Sequence, residues 1–230
     1  MLTRIAATNQ TTIEESLLKS LSPPSPELRG TLTRKLLARL GLTGYLWFAA
    51  NLCYYGLHFT MSSLDGNIHL NFLLLVLAEI SANLFTHLVL LPHLGRRRSL
   101  LVFLLVCSAV LILSSLSPTS ATNLRIILTL AGKFAATANF NSIYFYTCEL
   151  FPTSVRSTSL GFCSTMGRLG GMTAVLLASS GGWLSAHLPP LLMSAPPLLS
   201  AILCLLLPDT KHTALPETFQ QADNIGIVTT

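Results

Sequence analysis

Long apolar blocks, parted by short polar or basic segments, leave this chain of 230 residues few folds to choose from. Six blocks run at about 42–64, 69–91, 99–117, 124–148, 158–183 and 187–207. Each is close to the ~20 residues that a helix needs to cross ~30 Å of hydrocarbon. Lipid offers the backbone no hydrogen-bonding partner, so a spanning segment must satisfy its own N–H and C=O groups. Strand-like alternation is absent, which leaves helices. The expected fold is therefore an all-α membrane protein with a six-helix transmembrane domain over 42–207, a cytosolic arm at 1–41 and a cytosolic tail at 208–230. Charge supports this: only 10% of the residues are charged, where a soluble domain needs roughly a quarter.

Basic residues set the expected orientation. Arg34, Lys35 and Arg39 precede the first block, Arg96, Arg97 and Arg98 separate the second from the third, Arg156 separates the fourth from the fifth, and Lys211 follows the sixth. The opposite loops carry only Arg125. The positive-inside rule then puts both termini in the cytosol. The net charge of +5 is thus a topology signal, and no nucleic-acid partner is expected. The arm contains the Pro-rich stretch 22–26 and lacks an apolar run near Met1 of the length a leader needs. It is expected to be mobile, with helical turns near 12–20 and 31–40. Asn9-Gln10-Thr11 matches the glycosylation pattern, on a side of the membrane where it would go unmodified. The five cysteines, Cys53, Cys107, Cys148, Cys163 and Cys204, lie inside apolar blocks without a CxxC pair. They read as small buried hydrophobes, so neither a disulfide framework nor a metal site is expected. Phosphate loops, nucleophile–base sets and cofactor motifs do not stand out either, so no enzyme is expected.

Several motifs sit at the ends of the blocks. The chain reads Leu-Leu-Pro-His-Leu-Gly-Arg-Arg-Arg over 90–98, carries Glu149 seven residues before Arg156 with Pro152 between them, and has Pro216-Glu217-Thr218 in the tail. This set resembles the second half of a major facilitator transporter. Tyr54-Tyr55-Gly56, the 66–72 stretch Gly-Asn-Ile-His-Leu-Asn-Phe, Gly132-Lys133 and the run from Glu149 to Thr158 narrow the resemblance to the organic-ion transporter family. The resemblance covers about 40–224. It implies half of a twelve-helix fold, with the arm as remnant of the linker between halves. Pro92 and His93 depart from the family pattern, which has an acidic and a basic residue before the basic turn.

The resemblance implies a cytosolic gate in which Arg96, Arg97, Glu149, Arg156 and Glu217 pair at helix ends and re-pair as the mouth opens. The alternative is that these charges only fix topology. Within the blocks the ionisable groups are Glu79, Lys133 and Arg168, with His58 and His87 as titratable neighbours. A charge at mid-depth costs at least ~2.5 kcal/mol, so each should face a partner or a watery cavity. Arg168 lies beside Gly167, Gly170 and Gly171, one turn after Ser164. It aligns with a family position that is Asp in cation carriers and Arg in anion and carnitine-like branches. A guanidinium grips a carboxylate in bidentate fashion. Asn83 stands where anion carriers often show a second basic residue. The alternative is that Arg168 ties helices together by pairing internally, for example with Glu79. Glu79 and Lys133 both fall in family-wide motifs, which points to a structural pair.

Phe140 and Tyr144, at i and i+4, share a helix face, with Lys133 seven residues earlier; Tyr54 and Tyr55 lie mid-span in the first block. Flat aromatic walls with one charge suit hydrophobic organic ions of varied shape. The expected substrate-binding set is Arg168, Tyr55, Phe140, Tyr144 and Ser164, working without cofactor or metal. Pro189-Pro190 and Pro196-Pro197 read as helix-start and bend features of the last block. The leading expectation is transport of small organic ions, anions favoured, by alternating access at the plasma membrane, with lipid around it and a second copy or a full-length carrier as partner. The rival is a truncated, non-transporting protein that associates with a carrier.

Overall fold

The computed structural model describes residues 34–62, 64, 67–118, 121–180, 188–211 and 215–225. The expectations for residues 1–33 lie outside them. All regular structure among the described residues is helical: α1 Arg34–Ser62, α2 Ile68–Phe85, a π-turn at Thr86–Leu90, α3 Leu91–Leu94, α4 Arg96–Leu116, α5 Thr122–Leu150, α6 Arg156–Ser179, α7 Leu188–Cys204 and α8 Phe219–Asn224. The first helix thus starts at Arg34, upstream of the apolar block.

Among the described residues, four stretches are long and apolar enough to cross a membrane: Arg34–Ser62, Ile68–Val89, Arg96–Leu116 and Arg156–Ser179. The other two blocks differ for separate reasons. Helix α7 is an apolar helix of 17 residues. Helix α5 has 29 residues, but most of its buried positions are small or polar, among them Thr129, Gly132, Lys133, Ala135, Ala136, Thr137, Asn139 and Ser142. Small and polar residues at a helix interface let backbones approach and supply interhelical hydrogen bonds. That is the composition of a central helix, and α5 packs against α1, α2 and α4.

Helix α1 also lies against α6 and α7, and α4 against α7. The α1–α6 seam is close because of glycine. A methyl group at Gly170 would collide with the Phe48 carbonyl oxygen, and one at Gly44 would stand 3.0 Å from the Phe162 ring. Two apolar clusters fill the bundle. One joins Trp47, Leu100, Tyr146, Phe151 and Cys204; the other joins Leu52, Leu57, Cys107, Ala135 and Met193. All five cysteines are free, and four of them are buried, as their place in the apolar blocks suggests.

Helix α2 is the least enclosed, with only Asn71, Leu75 and Ala82 buried. Leu70, Leu73, Val76, Leu77, Ile80 and Leu84 are exposed on it, a surface that suits lipid. Pro189 and Pro190 lie in the first turn of α7, where a missing N–H costs nothing. Pro196 and Pro197 are inside it. Beside them, the Ser108 hydroxyl donates to the Ser194 carbonyl at 3.1 Å.

Candidate functional site

Midway along the bundle, five aromatic rings from α1 and α5 form a continuous set. Tyr55 meets Tyr54 edge-on at 5.4 Å, Tyr54 stacks on Phe140 at 5.8 Å, and Phe140 meets Tyr144 at 5.2 Å. Trp47 closes the set, 4.3 Å from Tyr144 and 5.9 Å from Phe140. The spacing explains the face: Phe140 follows Lys133 by seven residues as Tyr54 follows Trp47, two helical turns in each case. The Trp47 indole N–H donates to the Thr147 hydroxyl at 2.9 Å, which fixes the ring between the helices. Tyr55 and Tyr144 are exposed, whereas Trp47 is buried.

Next to these rings lies a charge cluster. Lys133 Nζ stands 2.6 Å from Glu79 Oε1, with the lysine side chain 0% exposed and the glutamate 27%. The same ammonium lies 3.1 Å from the centroid of the Tyr54 ring. The Tyr54 hydroxyl donates to Glu79 Oε1 at 2.8 Å. One carboxylate oxygen therefore takes both a cation and a phenol. Glu79 and Lys133 are the pair that their shared motif character suggested. The alternative, Arg168 against Glu79, is not what forms.

Arg168 is exposed and has no ion-pair partner among the described residues. Ser164, one turn earlier, is half-buried. Gly167, Gly170 and Gly171 are buried against α1. At 100° per residue, Arg168 is turned off that seam. A methyl group at Gly171 would lie 3.0 Å from Tyr55 Cδ2. The Tyr55 ring thus packs on α6 at Gly171, three residues beyond Arg168, which faces away from that contact. His58 and His87 take ring neighbours instead: His58 lies 5.3 Å from Phe72 and His87 5.6 Å from Phe145. Asn83 accepts a hydrogen bond from Asn141 across α2 and α5.

The end of the bundle bearing Arg96 holds a second polar cluster. Gly95, at φ +80°, makes the turn that starts α4. Arg96 Nε lies 2.9 Å from Glu149 Oε1, with side chains 31% and 19% exposed. The Thr210 hydroxyl donates to Glu149 Oε2 at 2.7 Å, so both carboxylate oxygens are engaged. Arg97 is engaged elsewhere, donating to the carbonyls of Cys204 and Leu205 at the end of α7. Arg156 Nε donates to the Phe151 carbonyl at 3.3 Å. At Glu217 it is the backbone that engages: its carbonyl accepts from Thr153 at 3.4 Å, and its N–H donates to Gln221. Of the five residues expected there, two form an ion pair, two donate to backbone carbonyls, and Glu217 is held through its own backbone.

Known proteins are similar in sequence to most of this chain. Mouse solute carrier family 22 member 21 (Mus musculus) is 34% identical over 180 residues, which are 78% of this chain and 32% of its own length. Human (Homo sapiens) organic cation/carnitine transporter 2 matches at 36% over 176 residues, 76% of the chain and 31% of its own. Pig (Sus scrofa) solute carrier family 22 member 7 matches at 38% over 179 residues, 77% and 32%. The chain belongs to solute carrier family 22. No family model matches it. It spans about a third of the length of the curated relatives it matches. The solute carrier family 22 relatives are multi-pass membrane carriers of organic cations, anions and carnitine, mostly of the plasma membrane, and are not enzymes.

In this solute carrier family 22 chain, sequence reasoning missed Trp47 and Thr210, used Arg39 only as a topology signal, and named Tyr54 among the mid-span aromatics but outside the binding set. Trp47 and Tyr54 were open to detection, because their separation of seven residues repeats that of Lys133 and Phe140. Arg39, which donates to the carbonyls of Ala222 and Ile225, had no such signal. Neither did Thr210. Both depend on how the tail folds back onto the helix ends, far away in sequence.

Proposed function

We propose that this chain is the carboxyl-terminal, six-span half of an organic-ion carrier and forms one wall of its binding cavity. The observation that carries this is the division of charge at mid-bundle. Lys133 neutralises Glu79, while Arg168, three residues before the Gly171 contact of Tyr55, is exposed and has no ion-pair partner among the described residues. Such a wall has a net positive charge and flat apolar faces. It suits hydrophobic organic anions, held by Arg168 and Ser164 at the charged end and by Tyr55, Phe140 and Tyr144 at the aromatic end.

Transport then follows alternating access, with the substrate between two half-transporters that rock about it. Either a longer carrier or a second copy of this chain supplies the facing wall. Under the positive-inside rule both termini are cytosolic, and the Arg96–Glu149 pair lies at the cytosolic mouth. There it acts as the gate contact that breaks when that mouth opens, with Arg97, Arg156 and Glu217 bracing the surrounding helix ends.

Uptake of a labelled aromatic carboxylate by cells with surface-confirmed protein tests the proposal. Uptake above background, lost in Arg168→Asp, is expected. Background uptake would remove autonomous transport, and anion uptake unaltered by Arg168→Asp would remove the charge-selectivity assignment.

A further inference from the structure

Three sulfur side chains from three helices share one apolar cluster of the bundle. Cys53 of α1, Cys107 of α4 and Met193 of α7 all belong to it, each at most 1% exposed. The two thiols are in hydrogen-bond contact with one another. Cys107 also donates to the Gly132 carbonyl of α5, at 3.9 Å. Met193 fits here because Gly56, nearly one turn after Cys53, has no side chain: a methyl group there would stand 2.8 Å from the Met193 sulfur. The Ser108 hydroxyl donates to the Ser194 carbonyl, which holds the residue after Cys107 against the residue after Met193. None of the three takes part in the aromatic set or in the ion pairs. Two thiols in contact form a soft donor pair, and a thioether close by keeps the surroundings soft.

The apolar setting selects the partner. A monovalent soft metal ion held by two thiolates leaves a net negative charge, which is costly among apolar side chains. A disulfide is neutral but draws the sulfurs in to about 2.05 Å and needs an oxidant inside the bundle. Trivalent arsenic bound to one carbon avoids both: it bonds two sulfurs, stays neutral, and sits between them. We propose that Cys53 and Cys107 are a dithiol site for monoalkyl trivalent arsenicals, of which methylarsonous acid, CH3As(OH)2, is the smallest. Two As–O and two S–H bonds break and two As–S bonds form. Each hydroxyl leaves with a thiol proton as water, and arsenic remains trivalent. Met193, unbranched and adaptable, gives way to the methyl group. The bridge makes one unit of α1, which carries Tyr54 and Tyr55, and α4, which begins at Arg96.

The site needs neither transport nor Arg168, so it stands or falls apart from the proposed function. The full chain in lipid nanodiscs is incubated with methylarsonous acid, quenched in acid to stop thiol exchange, digested with pepsin and mapped by mass spectrometry. The expected product carries one methylarsenic group that joins the Cys53 peptide to the Cys107 peptide, leaving three of the five cysteines free. Cys53→Ala and Cys107→Ala should each weaken arsenic binding at least about a hundredfold, as loss of one of two linked attachments does. Cys163→Ala combined with Cys204→Ala should bind as the unaltered chain does. The dithiol 2,3-dimercaptopropanol should strip the arsenic, and an equal concentration of glutathione should not. If the alanine variants are not recovered folded, the peptide map of the unaltered chain decides alone. No bound arsenic, arsenic on one thiol or on another pair, or equal binding by Cys53→Ala would overturn the proposal. So would removal by glutathione.

Discussion

The two ion pairs among the described residues occupy opposite settings. At mid-bundle, Lys133 is wholly buried against a partly exposed Glu79 and an aromatic face. At the bundle end, Arg96 and Glu149 are both partly exposed, and Thr210 takes up the second carboxylate oxygen. The buried pair carries a large desolvation cost that only its own geometry offsets, so losing one partner strands the other. The partly exposed pair is screened by solvent, contributes little to stability, and can break cheaply. The first arrangement suits a fixed wall of defined charge and the second a contact that opens and closes. The difference is one of burial rather than of residue type.

Lys133→Met breaks the comparison most severely, because it leaves Glu79 without its cation. A loss of about 3–5 kcal/mol is expected, measured by unfolding in mixed micelles. Adding Glu79→Gln should recover much of it, and a double variant no more stable than the single would mean the pair is not the source. Gly170→Val tests the seam that holds Tyr55 on α6. The added side chain meets the Phe48 carbonyl, and a loss of about 1–3 kcal/mol is expected from overpacking, with altered tryptophan fluorescence as a second readout.

Glu149→Gln should be mild. A cost of about 0.2–1 kcal/mol is expected for a partly exposed pair, and it should shrink as salt is raised. A cost as large as that of Lys133→Met would erase the contrast between the two regions. Thr210→Val removes a single hydroxyl donor and should cost about 0.5–1.5 kcal/mol. In a double-mutant cycle its effect should couple to that of Glu149→Gln; strict additivity would detach the tail from the pair.

Much of this was legible in the sequence, for reasons tied to single residues. Helix α5 was found because its apolar and small residues run together, although its buried Lys133 and Asn139 make it too polar to stand out by composition. Phe140 and Tyr144 were found from their spacing of four. The pairing of Glu79 was left between Lys133 and Arg168, since sequence gives depth in the bundle but not the azimuth of one helix against another. The glycines settle that azimuth: Gly167, Gly170 and Gly171 face α1, which leaves Arg168 turned away. At the bundle end, Arg96 and Glu149 were recognisable only as members of a charged set at helix ends, with Glu149 read beside Arg156 rather than paired to Arg96. The engagement of Arg97 with the carbonyls ending α7, and of Thr210 with Glu149, depends on where the tail returns, which no local pattern encodes.

Arg168 has the smallest expected effect on stability and the largest on function. Because it is exposed and has no ion-pair partner among the described residues, Arg168→Ala should leave the melting temperature unchanged. The most direct measurement is equilibrium binding of phenylacetate and of benzylammonium to the purified chain and to Arg168→Ala. The account predicts that the chain binds the carboxylate in preference to the amine, and that Arg168→Ala loses this preference while melting as before. Equal carboxylate binding by both proteins, or a preference for the amine in the unaltered chain, would contradict it.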